Sequence, residues 1–172
     1  VRDARGCALW ACVLITFFGY FRKSNTTSDG ASPFGSGKCI RVCDIDEVPL
    51  KYSLKITVRS SKTRQFGKVA TVYVAGCLGH ALDPVAALKA HRAINVLAAE
   101  CHAFSFVVGK KVTAMHHTRL VQAAKDMATA AGVDPTTVAG HSFRRGGASY
   151  AFQCGVPDVL IQRQGDWVSL CY

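Results

Sequence analysis

The sequence predicts an α+β domain, mostly helical, with one small three-stranded antiparallel sheet. Two observations carry that reading: three β-branched, partly alternating runs lie close together between residues 40 and 75, and most of the remainder shows capped helical periodicity. Strands that are grouped, not interleaved with helices, point away from an alternating α/β fold. At 172 residues the chain fits one domain, with a core large enough to need no disulfide staples.

The first element is the run ALWACVLITFFGYF, Ala8 to Phe21, nearly all apolar. It falls short of the ~20 residues a membrane span needs, and Arg22 and Lys23 follow it with no small-residue cleavage pattern, so a buried helix is expected. The chain starts inside this element without a leader, which suggests a piece of something longer. Asn25 to Lys38 is rich in Ser, Thr, Gly and Asp and reads as a surface loop. The strands are expected at Ile40 to Val48, Ser53 to Ser60 and Lys68 to Ala75, and their short connections suit a meander.

Asp83 and Pro84 form a cap and first-turn pair for a helix expected to run to about Glu100. A second helix starts near Thr118, with Leu120, Ala124, Met127, Ala128 and Ala131 on one face and Gly132 as its stop. Asp134 and Pro135 open a short helix ending near Gly140. Phe143 to Cys154 and Pro157 to Gln164 are the last two, closed by Gly155 and Gly165.

Lys and Arg number 21 against 11 Asp and Glu, a formal net charge of +10 and a pI of about 9.4. Such a balance favours a polyanionic partner, nucleic acid first and an anionic membrane surface second. The eight cysteines include no C-x-x-C pair, and no Cys/His spacing suits zinc. They read as reduced thiols of an intracellular protein, mostly filling the core, with Cys39 and Cys43 in a strand-like run.

The stretch GHSFRRGG, Gly140 to Gly147, places an imidazole and two guanidiniums where a helix begins. The helix N-terminus favours an anion, and Ser142 suits its first turn. His141 and Arg144 are three apart, so both can reach one object there, and a phosphate matches the Arg fork and the proton chemistry of His. A bare H-x-x-R is common by chance, and its plain reading is a capping His141 beside solvated arginines. Two other basic residues stand out by position: Arg22 in FFGYFRKSN, at the exit of the apolar helix, and Lys62 in RSSKTRQFG, between the second and third strands. Singly, each reads as a solvated surface charge.

Together, the order Arg22, Lys62, His141, Arg144 resembles the catalytic domain of the tyrosine recombinases, the phage integrase family, over nearly the whole chain. VLIQRQGDW supplies Trp167 where the family has a His or Trp. The wording GHSFRRGGAS and FQCGVPDVLIQRQGDW looks closest to recombinases of eukaryotic mobile elements, the DIRS-like and Crypton groups. The resemblance implies DNA strand cleavage and rejoining, DNA recombination or integration, without metal or cofactor. In it, Arg22 and Arg144 clamp the non-bridging phosphate oxygens, and His141 adds a donor or assists the proton on the nucleophile. Lys62 protonates the departing 5′ oxygen, and Trp167 donates through its indole N–H or packs the site.

The family's nucleophile is a tyrosine that becomes joined to the 3′ phosphate, about nine residues after the His/Trp position. Tyr172 follows Trp167 by only five, so the nucleophile is expected just beyond Tyr172. The chain, residues 1–172, is therefore expected to be a catalytic core cut before its nucleophile and lacking the N-terminal core-binding domain. Its expected partners are double-stranded DNA and other recombinase protomers, its place intracellular and nuclear, and no membrane is implied. Two other readings stay open: a degenerate remnant that binds DNA without chemistry, and a membrane-associated basic protein anchored by Ala8 to Phe21.

Overall fold

Helix α1, Ala4–Phe18, starts where the Asp3 carboxylate accepts the Gly6 N–H at 2.6 Å, and it buries Cys7, Ala8, Ala11, Cys12, Leu14 and Ile15. A helix apolar on all sides must sit in the core. The computed structural model, which describes residues 3–30, 32–34, 37–59 and 69–167, places it there. Around it pack α3 (Pro84–Ile94), α4 (His117–Ala130) and α5 (Ser142–Gln153). A short α2 (Lys23–Thr26) follows α1, and α6 (Asp158–Gly165) lies against α5.

The sheet is the expected antiparallel meander in the order β1 (Ile45–Val48), β2 (Ser53–Val58), β3 (Ala70–Ala75). Ile45 faces Ile56, Leu54 faces Val74 and Ile56 faces Val72, so one sheet face turns these side chains into the core while Lys55 and Tyr73 point outward. The β2–β3 connection contains Lys62, which lies outside the described residues.

Five expected elements differ. The first helix is Ala4–Phe18 and ends before Phe21, and the expected surface loop from Asn25 begins within α2, with Asn25, Thr26, Thr27 and Ser28 buried. The run Ile40 to Val48 is a strand only from Ile45, because Val42–Asp44 forms a 3-10 turn. The Asp44 carboxylate accepts the Arg41 N–H at 3.0 Å and the Arg59 Nε–H at 2.7 Å, which fixes a turn in place of an extended chain. Cys43 sits in that turn and Cys39 lies before it, so neither is in a strand.

Helix α3 has its predicted cap, Asp83 accepting from Val85 and Ala86 N–H, but stops at Ile94 and not near Glu100. Asn95 turns the chain: its amide donates to Ala4 O at 2.9 Å and its carbonyl accepts the Val107 N–H at 2.9 Å. Beyond it comes an unforeseen hairpin, β4 (Phe106–Val108) with β5 (Lys111–Thr113), turning at Gly109 with φ 60°. Pro135–Thr137 is a single 3-10 turn, not a helix reaching Gly140.

Among the described cysteines no disulfide forms. Burial pushes the Cys12 thiol up to about 12, a core thiol in character. Among the described residues, no helix is long and apolar enough to cross a membrane, and no cluster of three His, Cys, Asp or Glu could hold a metal ion.

Candidate active site

The far end of α1 sets the site. Gly19 closes the helix, Tyr20 takes a left-handed φ of 51°, and the reversal sends Arg22 out of the core. The buried Asn25 holds Arg22 at both ends of its backbone: Asn25 Oδ1 accepts the Arg22 N–H at 3.2 Å, and the Asn25 N–H donates to Arg22 O at 2.8 Å. Asn25 also donates to Lys38 O, at 3.3 Å. The Arg22 side chain is half-buried and makes no side-chain hydrogen bond or ion pair with a described residue.

Helix α5 brings the H-x-x-R motif to the same place. His141 precedes its first turn, exposed, with no capping bond from its ring. Ser142 Oγ accepts the Ala139 N–H at 2.9 Å, so the serine closes the entering loop and not the helix. The Lys23 stem lies against Gly140, where a Cβ would meet Lys23 Cδ at 2.8 Å. Gly147 lets α5 approach the end of α1: a Cβ there would run into Phe17 O and lie 3.0 Å from Tyr20 Cδ1.

That close approach seats Arg144, only 6% exposed, between three groups. Its guanidinium donates to Tyr20 O and to Gly165 O, and its Cζ lies 3.9 Å from the centre of the Trp167 ring. Tyr20 and Trp167 rings stand 6.2 Å apart over a small cluster of Ala148, Ala151 and Ile161. Gln164 ties α6 further, donating to Tyr73 O at 2.8 Å and to Phe18 O at 3.4 Å. Arg144 therefore joins the α1 exit, α5 and the end of α6.

Burial lowers the Arg144 pKa to about 10; the nearby Arg22 charge pushes the same way and Asp166 opposes it. The group stays cationic at neutral pH, with a second guanidinium close enough to repel it. Of the five donors on the fork, two go to carbonyls; among the described residues no other acceptor is bonded to it, and Nε and one N–H on each terminal nitrogen remain. The remaining N–H groups of Arg144, in the first turn of α5, suit an anion with several oxygens.

Of the five residues expected from sequence, the structure brings Arg144 and Trp167 into contact, and Arg144 is bonded to Tyr20 O, two residues before Arg22 in the chain. His141 stands at the mouth of the same helix, and Lys62 lies outside the described residues, as does Tyr172. Arg144 is buried, and part of its fork is structural. The sequence assigns no part in the site to Tyr20, Asn25, Gln164 or Gly165, the last being read only as a helix stop. The Gly-Tyr step after an apolar helix and the Gly-Asp-Trp step after α6 were the available signals.

No protein-family model matches the chain, and no curated protein matches its sequence. Solved structures similar to it include two of the XerH site-specific recombinase. One is bound to difH substrate in a pre-cleavage complex, with a TM-score of 0.62, 14% identity, and 99% of this chain covering 42% of that one. The other is bound to palindromic difH substrate in a post-cleavage complex, with a TM-score of 0.67, 14% identity and the same coverage. The chain spans less than half the length of these recombinases. Its fold is the α+β fold of a tyrosine recombinase catalytic domain.

Proposed function

We propose that the chain is the catalytic part of a site-specific recombinase, which cuts and rejoins double-stranded DNA through a 3′-phosphotyrosyl intermediate. The observation that supports it best is that Arg144 of α5 is bonded to Tyr20 O, two residues before Arg22, so both arginines belong to the junction of α1 and α5 in a recombinase fold. Attack on a phosphodiester builds negative charge on the two non-bridging oxygens, and fixed cations in a partly dry site stabilise that charge strongly. Arg22 and the remaining edge of Arg144 take these oxygens. His141 donates a further hydrogen bond or accepts the nucleophile's proton, and Lys62 protonates the departing 5′ oxygen. Trp167 supports Arg144 by stacking beneath it.

The attacking group is a tyrosine just past Tyr172, whose bond to phosphorus conserves the phosphodiester for rejoining without ATP. The whole chain acts in the nucleus as the recombinase of a mobile element of DIRS-like or Crypton type, with other protomers on the same DNA. A second reading, a remnant that binds DNA without cutting it, is favoured by the burial of Arg144. A nicked suicide duplex separates them. A protein carrying the residues after Tyr172 is expected to form a denaturant-resistant adduct, lost in Arg22→Ala. DNA binding with no adduct would support the remnant.

A further inference from the structure

A cationic band leaves the Arg22–Arg144 site. Lys23, whose stem lies against Gly140, also lines a hollow of about 250 Å³ with Lys38 and His117, where Asp29 is the lining carboxylate. His117 stacks on His116 with ring centres 4.3 Å apart. His116 in turn lines a second hollow of about 380 Å³, whose walls carry Arg5, Lys111 and Arg119 and no carboxylate.

The second hollow is built by distant parts of the chain. Arg5 comes from the first turn of α1 and lies over the Phe106 ring at 5.4 Å; Lys111 comes from β5 and Arg119 from the first turn of α4. His116 is bound to Asp29 O at 3.1 Å through Nε2 and to the Thr118 hydroxyl at 2.8 Å through Nδ1, so its ring braces this wall. Among the described residues, the side chains of Arg5, Lys111 and Arg119 form no ion pair. Three cations facing one concavity repel each other unless an anion enters.

Arg5 and Arg22 flank the two ends of α1. Its 15 residues, at about 1.5 Å each, span roughly 22 Å. That length is about six steps of a duplex with a 3.4 Å rise. A small free anion would fill one hollow; a stiff polyanion is what occupies a line of them.

We propose that this band is the path of the DNA flanking the cleaved phosphate, and that Lys111 and Arg119 hold backbone phosphates about half a helical turn away from Arg22. The inference rests on the DNA reading above. It predicts that affinity depends on where charge is removed and not only on how much.

The test is fluorescence anisotropy with a duplex of about 30 base pairs, titrated with salt, on wild type, Lys111→Glu/Arg119→Glu, and the charge-matched control Lys51→Glu/Lys55→Glu at the sheet. The first pair is expected to weaken binding at least tenfold near 0.1 M salt and to lower the salt slope by about 1.8, or 0.9 per lost phosphate contact. The control is expected to stay within threefold. Milder Lys111→Gln/Arg119→Gln, expected to lose about fivefold, serves if charge reversal disturbs folding. Equal losses in both pairs, or wild-type affinity in the first, would overturn the inference while leaving DNA binding intact. Wild type that shows no salt-dependent binding would overturn the DNA reading itself.

Discussion

Gly147→Ala tests how the site is assembled. The added methyl would be driven into Phe17 O, with the Phe17 carbonyl carbon and Tyr20 Cδ1 both at 3.0 Å. The obstacle is backbone held by the last turn of α1, so it cannot swing aside as a side-chain tip would. Helix α5 must move by something on the order of 1 Å, and overpacking of that kind costs about 1–3 kcal/mol. The same movement weakens the charge-assisted bond from Arg144 to Tyr20 O, which contributes about 1.5–3 kcal/mol. Replacing a mid-helix glycine by alanine returns about 1 kcal/mol. The net expectation is a loss of about 3 kcal/mol, and a melting temperature lower by roughly 6–12 °C for a domain of this size. Gly146→Ala is the control: its Cβ would meet Phe17 Cε2 at 3.4 Å, an ordinary contact, so it should leave stability unchanged or raise it by up to about 1 kcal/mol. Denaturant unfolding of both variants measures the difference. A Gly147→Ala protein as stable as wild type would refute the close approach of α5 to α1.

Arg144→Lys keeps a cation but loses the fork that reaches both Tyr20 O and Gly165 O; it should abolish strand cleavage while DNA affinity stays within about threefold, read by adduct formation and anisotropy. Asp83→Ala removes the acceptor of the Val85 and Ala86 N–H groups and of the Tyr52 hydroxyl, and chemical denaturation should show a loss of about 1–2 kcal/mol. Burial, aided by the Arg92 charge, holds the His91 imidazole below its ordinary value although Ala103 O accepts from its Nε2. Folding therefore keeps His91 neutral, so stability is full above the unfolded value of about 6.5 and falls as pH drops below it. Melting curves between pH 8 and 5 should show this decline, reduced in His91→Gln.

Helix α1 is legible in sequence because an all-apolar run has no solvent face to offer. Helices α5 and α6 are legible because glycines punctuate them. The end of α3 is not, because Asn95 is fixed by Ala4, far away in the chain, and by a hairpin that forms only after it. That hairpin, FVVGKKV, is too short to stand out from the helix-forming residues before it. The turn at Val42–Asp44 depends on Arg59 reaching back from the end of β2. At the candidate site, cationic side chains carry a signature that can be read, so Arg22 and the H-x-x-R pair stand out in the sequence. The carbonyls of Tyr20 and Gly165 carry none, and so the anchoring of Arg144 emerges only with the fold.

The most direct test of the proposed chemistry is covalent capture. A protein continuing past Tyr172 is mixed with a nicked suicide duplex carrying its recombination site, denatured, and run beside its Arg22→Ala, Arg144→Ala and Tyr172→Phe variants. A protein–DNA adduct is expected in the parent and in Tyr172→Phe, and none in either arginine variant. An adduct that survives loss of both arginines, or none from a parent that binds the same duplex, would contradict that chemistry.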